Sequence, residues 1–329
     1  MVSGRALEFP RDEGSHPDFR TEWWYVTGWL ENSVRNPLGF QITFFRARPS
    51  FRNENPSAFA PRQVLVAHAA LSDPAQGKLI HEQRAARAAF DLAGARENGL
   101  HVWLDDWQLR AEASGYRALV TGTALALDLA FTPTQPPLLQ GDAGYSRKGP
   151  RADSASYYYS LPHLAVQGEI TRGRKRDAVQ GAAWLDHEWS SSYMDERAVG
   201  WDWIGVNLDD GGALMAFRMR DISGASLWAG ATLRAPGQTA RTFGADDVRF
   251  TPRRTWRSPR TGANYPIAWT VFAGELRFDI EPLMDDQEND ARLTTGAIYW
   301  EGAVRASRGG QSLGRGYLEL TGYWRRLRL

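Results

Sequence analysis

Cysteine is missing from all 329 residues, which excludes disulfides, thiolate metal sites and cysteine nucleophiles. Lysine is scarce: Lys78, Lys148 and Lys175 are the only three, and the remaining basic residues are arginines scattered along the chain. No run of apolar residues approaches the roughly 18 that a membrane-crossing helix needs, so no integral membrane segment is expected; a peripheral or lipoprotein association stays compatible with the sequence. The stretch Met1 to Pro10 lacks the apolar centre of a signal peptide. Export to the periplasm or as a lipoprotein, with a leader absent from this chain, is the expectation, and a cytoplasmic location the alternative. Acidic and basic side chains number 38 and 39; a net charge so close to zero gives no electrostatic footprint for nucleic acid. There is no Gly-x-Ser-x-Gly elbow, no His-Glu-x-x-His, and no glycine-rich phosphate loop opening a helix. The six histidines are dispersed, so no dedicated metal site is expected. Helix signals are nearly absent too. Only Glu82 to Leu92, rich in Ala and Arg, has a helix-like pattern, and it fits an alternating strand equally.

What the chain has in quantity is strand signal. Apolar residues make up 43%, enough for a full core, and the length suits two domains of about 150 residues. Runs such as Trp23–Leu30, Phe40–Arg46, Leu119–Phe131 and Gly316–Tyr323 are β-prone, and Leu276-Arg277-Phe278-Asp279-Ile280 alternates as a half-buried antiparallel strand does. Asp209-Asp210-Gly211-Gly212 is a hairpin turn. Many short strands with glycine-rich turns predict an all-β sandwich or barrel. A Trp-led strand, a turn and a strand ending in Phe-Arg occurs at Trp23–Arg46 and again at Trp201–Arg218. This internal repeat predicts two similar antiparallel barrels, over residues 1–195 and 196–329. Residues 132–154, rich in Pro, Gly and Ser, read as a long loop at a barrel mouth. Fourteen tryptophans suit either an aromatic-lined cavity or the plugging of barrel ends.

Two clusters mix charge with large aromatics: Glu22-Trp23-Trp24-Tyr25, and Asp186-His187-Glu188-Trp189 followed by Trp201-Asp202-Trp203. A carboxyl packed on indole rings is desolvated, so its neutral form is favoured and it can hold a proton near neutral pH for delivery. His187, between two carboxylates, is biased towards its charged form. On a strand, however, Asp186 and Glu188 point to one face while His187 and Trp189 point to the other. All four line one pocket only if a bulge intervenes. A buried His–Asp pair tying strands together is the structural alternative. Ser190, Ser191 and Ser192 follow the histidine, but adjacency makes no triad, and a glycosidase pair such as Glu188 with Asp202 rests on no distinctive spacing.

At these clusters the chain resembles a known family. Glu22-Trp23-Trp24-Tyr25-Val26-Thr27-Gly28, then Tyr159-Ser160-Leu161-Pro162, then Gly181 to Trp189, then Gly200-Trp201-Asp202-Trp203 are similar, in order, to signatures of the AttH and carotenoid 1,2-hydratase (hydroxyneurosporene synthase) family. The bacterial branch called secreted hydrolases looks nearest. The likeness runs from about residue 7 to residue 323. It implies two tandem lipocalin-like antiparallel β-barrels and chemistry on long apolar substrates with no metal or organic cofactor. Such chemistry includes protonating and hydrating an isoprenoid double bond, or folding a polyene for cycloaddition. The family's Asp-His-x-Trp motif falls on Asp186, His187 and Trp189, with Glu188 at the variable position. The expected catalytic groups are therefore Asp186, His187, Glu188 and Asp202. Trp23, Trp24, Tyr25, Trp189, Trp201, Trp203, Arg46 and Arg218 are the expected ligand-binding set around a small hydrophobic molecule. In that expectation Asp186 or Asp202 protonates an alkene, Trp189, Trp201 or Trp24 stabilises the cation, and His187 directs the water. Arg46 and Arg218 either fix a polar head group or form a salt bridge closing each barrel. A non-catalytic carrier of a hydrophobic ligand is the alternative, and true hydrolysis a weaker one.

Overall fold

The computed structural model describes residues 1–49, 57 and 60–327. Among these, the one helical element is a single 3-10 turn, Arg11–Glu13, and the rest of the regular structure is strand. The strands form two antiparallel sheets, of thirteen strands between Thr21 and Ser192 and of ten between Gly200 and Leu320. The chain is thus two tandem lipocalin-like barrels.

The repeated Trp-led hairpin occupies the same place in each. In the first barrel the opening strand Thr21–Asn32 lies between Pro37–Ala47 and the closing strand Lys175–Ser192. In the second, Gly200–Leu208 lies between Ala213–Arg220 and the closing strand Gln311–Leu320. Each sheet curls until distant strands touch: Val64–Ser72 and Ile80–Arg87 reach His101–Leu104, and Ala213–Arg220 and Ser226–Arg234 reach Val248–Arg257. Period-two alternation fills each interior with one face of every strand. Val26, Phe40, Ile42 and Leu129 belong to the first core, and Ile204, Val206, Ile267 and Trp269 to the second.

The helix-like run beginning at Glu82 is strand: Ile80–Arg87 pairs with Val64–Ser72 at the end of its sheet. Its residues are half-buried to exposed at this edge, and the ladder satisfies the backbone that an isolated short helix would have left marginal. The stretch 132–154 carries two short strands, Leu138–Leu139 and Tyr145–Arg147, both paired with the long strand Ala155–Arg172. It also crosses to the second barrel, where Gln135 donates to the Gly211 carbonyl and Arg234 donates to that of Pro136.

A third apolar cluster lies between the barrels and includes Tyr25, Trp29, Tyr158, Trp184, Trp203, Phe217 and Tyr317. Trp29 donates from Nε1 to the Gly316 carbonyl at 2.9 Å, and Asn207 donates to that of Ala183 at 3.1 Å. Gly205 is required here: a Cβ would sit 2.7 Å from the Trp203 ring and 3.1 Å from Trp184. Its absence lets two indoles lie flat over the strand.

Candidate functional site

The closing strand Lys175–Ser192 runs without a bulge through the Asp186–Trp189 motif, in unbroken register with the opening strand. Alternation therefore splits the motif. His187 and Trp189 face into the first barrel with Glu22 and Trp24, which stand opposite Trp189 and His187 respectively. Asp186 and Glu188 face the second barrel with Tyr25 and Trp23.

Inside the first barrel, the N-terminal segment folds over the motif as a plug. His16 stacks on Trp189 with ring centroids 3.8 Å apart, and Trp24 stacks on His187 at 4.7 Å. Glu22 accepts from Arg46 Nε at 2.7 Å, from Ser15 Oγ at 3.0 Å and from the His16 backbone. Its Oε1 also lies 2.7 Å from His16 Nδ1 and 3.0 Å from His187 Nε2. Burial alone would raise this carboxyl. The hydrogen bonds from His16 and His187 and the neighbouring cations outweigh burial and hold it well below the usual range. His187, wholly enclosed, is pushed down by burial against the pull of Glu22. Two histidines remote in sequence thus converge on one carboxylate, which dispersal along the chain did not suggest. Atoms of His16, Glu22 and His187 that could hold a metal lie within 4.8 Å of one another. The carboxylate is already saturated by Arg46, Ser15 and backbone N–H, so the group reads as an ion-paired plug.

The second barrel has the equivalent lock. Asp202 faces inward, accepting from Arg218 Nε at 2.6 Å, Arg220 Nε at 3.0 Å and the Tyr323 hydroxyl at 2.9 Å. Glu22–Arg46 and Asp202–Arg218 are both cross-strand pairs between an opening strand and the strand after it. Of the two roles expected for Arg46 and Arg218, the structure shows the salt bridge in each barrel.

Between the barrels lies a different chemistry. Asp186 accepts from Tyr158 Oη at 2.7 Å, Ser160 Oγ at 2.5 Å and Trp184 Nε1 at 2.6 Å, and Tyr158 Oη in turn accepts from Trp203 Nε1 at 3.0 Å. Burial pushes Asp186 up to about 7, against those three hydrogen bonds, and the charge of Glu188 adds to the rise. Glu188 accepts from Ser156 and pairs with Lys148 Nζ at 2.8 Å. Burial raises Glu188 and lowers Lys148, each offset in part by the other. Glu301 and Glu319 stand directly opposite one another on paired strands. Burial raises Glu301 well above the usual range, with the Glu319 charge adding. Glu319, at the edge of the cluster and bonded by Trp201 Nε1 at 2.8 Å, is pushed up to about 7 by burial and by the charges of Asp186 and Glu188. Four carboxyls and one lysine cannot all be charged in such a space, so this face stores protons near neutral pH.

The structure therefore distributes the expected residues over three places. Asp186, Glu188, Trp23, Tyr25, Trp201 and Trp203 gather between the barrels; Trp23 and Trp201 form its partly exposed rim, each edge-on to Tyr193. His187, Trp189, Trp24 and Arg46 are sealed in the first barrel; Asp202 is sealed in the second, with Arg218 beside it partly exposed. Two clefts open on the space between. The larger, about 420 Å³, is walled by Trp29, Trp184, Asn207 and Tyr317; the smaller, about 270 Å³, lies beside Phe217 and Trp228. Sequence reasoning passed over His16, Lys148, Tyr158, Glu301 and Glu319, and it gave no role to Ser160 or Trp184, which lie within the quoted signatures. One signal was available: Glu301 sits between the apolar runs Ala297–Trp300 and Gly302–Val304, and Glu319 between Leu318 and Leu320.

The model of the AttH-like family matches residues 1–323. Among curated proteins none matches. A crystal structure of an AttH-like protein from Nitrosomonas europaea is 56% identical, with 98% of each chain covered and a TM-score of 0.93. Kievitone hydratase from Nectria haematococca is 14% identical over 98% of this chain and 95% of its own, with a TM-score of 0.73. CghA is 13% identical over 94% and 89%, with a TM-score of 0.56. At these identities the last two relate the chain by fold alone.

Proposed function

The chain belongs to the AttH-like family, and on that premise we propose that it is an enzyme of the hydratase type acting on a hydrophobic, alkene-bearing molecule held between the two barrels. One observation carries the reading. Among the described residues Asp186 has no ion-pair partner of its own, since Lys148 is taken by Glu188. It is surrounded by aromatic rings and holds a proton close to neutral pH. That is the condition of a general acid. In the proposed step the Asp186 proton passes to one alkene carbon and leaves the cation on the other. The faces of Trp184 and Trp203 stabilise that cation. Water adds to it and returns a proton to Asp186, so the net change is addition of one water. The larger cleft reaches Asp186 through Trp184, whose indole bonds Oδ1; the indole has to swing aside for substrate to meet the acid. Isomerisation follows from the same protonation when the cation loses a different proton.

A second reading, a non-catalytic carrier, is favoured by the closure of the site: Asp186 is only 2% exposed. Hydrolysis has less support, since among the described residues no serine is hydrogen-bonded to a histidine ring. The discriminating experiment incubates the protein with a panel of isoprenoid and polyene alkenes in deuterium oxide and follows deuterium uptake and water addition by mass spectrometry. Turnover by the wild type that Asp186→Asn abolishes while ligand affinity persists supports the enzyme. Ligand binding with no deuterium uptake in either protein supports the carrier, and turnover surviving in Asp186→Asn removes Asp186 as the acid.

A further inference from the structure

The smaller cleft has a feature that the chemistry at Asp186 does not use. Its walls are apolar, with Met215, Phe217, Trp228 and Phe243 among them, yet Arg147 and Thr232 also line it. Arg147 is fixed in place. Its Nη2 donates to the Gly149 and Pro150 carbonyls at 3.1 and 2.6 Å, and its guanidinium lies 4.3 Å from the centre of the Trp228 ring. Neither of these contacts neutralises it, and among the described residues it has no acidic partner. Its Nε is buried without a hydrogen-bond acceptor, and so is the hydroxyl of Thr232, a residue 1% exposed. Buried donors without acceptors are uncommon and unfavourable. Here the two residues that carry these donors line the same apolar cavity, with the donor atoms themselves beneath its wall. The neighbouring Lys148, 4.2 Å from the Phe217 ring on its far side, is already neutralised by Glu188. Asp142, the one acidic residue lining the cleft, is exposed to solvent.

We propose that this cleft receives the carboxylate end of an apolar small molecule, with Arg147 Nε and the Thr232 hydroxyl as the donors. The inference rests on the reading that the space between the barrels takes hydrophobic ligands, and it narrows their class to those carrying a carboxylate. A carboxylate offers two acceptor oxygens and no donor, which suits two donors and a cation in a cavity of about 270 Å³; a phosphate would leave more oxygens without partners. The guanidinium carbon lies 4.3 Å from the centre of the Trp228 ring and Nε has no acceptor, so a small shift of the side chain turns Nε to the cavity for a charge-assisted bond.

Titration calorimetry of the intact protein with octanoate and with 1-octanol tests this. The pair shares an apolar chain and differs in the terminal group. On the wild type, octanoate should bind at least about ten-fold more tightly than octanol, the worth of a charge-assisted hydrogen bond to a buried donor. Arg147→Gln should remove that preference and leave octanol affinity unchanged. Thr232→Val, on a separate strand and close to isosteric, should weaken octanoate by a few-fold and provides the test if Arg147→Gln folds poorly. Equal affinities on the wild type, or a preference that survives in both variants, would overturn the carboxylate site while leaving the apolar-ligand reading in place. Failure of both probes to bind would overturn the carboxylate site and the apolar-ligand reading of this cleft together.

Discussion

Asp186→Asn should change the pH dependence of stability in a direction and size that the structure fixes. In the wild type burial raises this carboxyl from 3.8 to about 7. The folded protein therefore binds a proton that the unfolded chain has released over that interval, and stability falls as pH rises through it. At 1.36 kcal/mol per pKa unit, the Asp186 contribution lost between about pH 4 and about pH 8 is about 4 kcal/mol. Asn does not titrate, and it can meet the same surroundings: its oxygen accepts from Ser160 and Trp184, and its amide donates to Tyr158 Oη. Near pH 4, where Asp186 is neutral, the two proteins should differ by a fixed amount set by this exchange of hydrogen bonds. By pH 8 the difference should have moved about 4 kcal/mol in favour of Asn. His68, which burial pushes down to about 3, and Glu319, pushed up to about 7, titrate in the same range. His68 is present in each protein and largely cancels in the difference, whereas Glu319 is raised in part by the Asp186 charge, so removing that charge adds to the shift in favour of Asn. Urea unfolding followed by circular dichroism at a series of pH values reads the quantity directly. A difference that stays constant within about 0.5 kcal/mol from pH 4 to pH 8 would refute the claim that Asp186 holds a proton near neutrality, and with it the general acid.

Glu22→Gln should destabilise the fold by about 3–5 kcal/mol at pH 7, because it leaves Arg46 buried without its anion. The wild-type Glu22 carboxyl is held low, so its contribution is present above the unfolded pKa and lost as pH falls. The gap between variant and wild type should accordingly narrow in acid, which denaturation at pH 7 and pH 3 would show. Lys148→Met leaves Glu188 as an unpaired buried carboxyl. The loss should be about 3–5 kcal/mol near neutral pH and should shrink as pH falls, because burial raises Glu188 and favours its neutral form once the lysine is gone; a loss independent of pH would count against the pair. Gly205→Ala drives a methyl into the rings of Trp203 and Trp184 and should cost about 1–3 kcal/mol as an overpacked site. It should also shift the tryptophan emission of the native state, and an unchanged spectrum with unchanged melting would contradict the packing described.

The fold was open to reading because it is written in local terms. Alternation along Leu276–Ile280, the Asp-Asp-Gly-Gly turn and the doubled Trp-led hairpin each depend on neighbours within a few residues, and all appear in the structure as strand, turn and equivalent hairpins. Alternation even foretold that Asp186 and Glu188 would turn away from His187 and Trp189. Beyond that point the candidate site stopped being legible, for a physical reason. The raised pKa of Asp186 comes first from burial between the barrels, with the charge of Glu188 adding to it, and the partner of Glu188 is Lys148, just after a short strand and some forty residues upstream. None of these is marked by its own surroundings. A glutamate at a buried position of Ala297–Arg308, on the face turned to the first barrel, looks like a tolerated exception until the register sets it opposite Glu319. Like charges facing one another across a ladder are destabilising, so a pair of glutamates there, unlike a pair of leucines, is a cost that packing alone would not have retained. The same reasoning makes Arg147 informative. Its sequence neighbours are those of any polar loop, and only the packing of the second barrel against Tyr145–Arg147 leaves the Nε of this half-exposed guanidinium buried with no acceptor. Sites of this kind, assembled by docking two barrels whose facing strands each look half-finished, become visible only when both faces are in place.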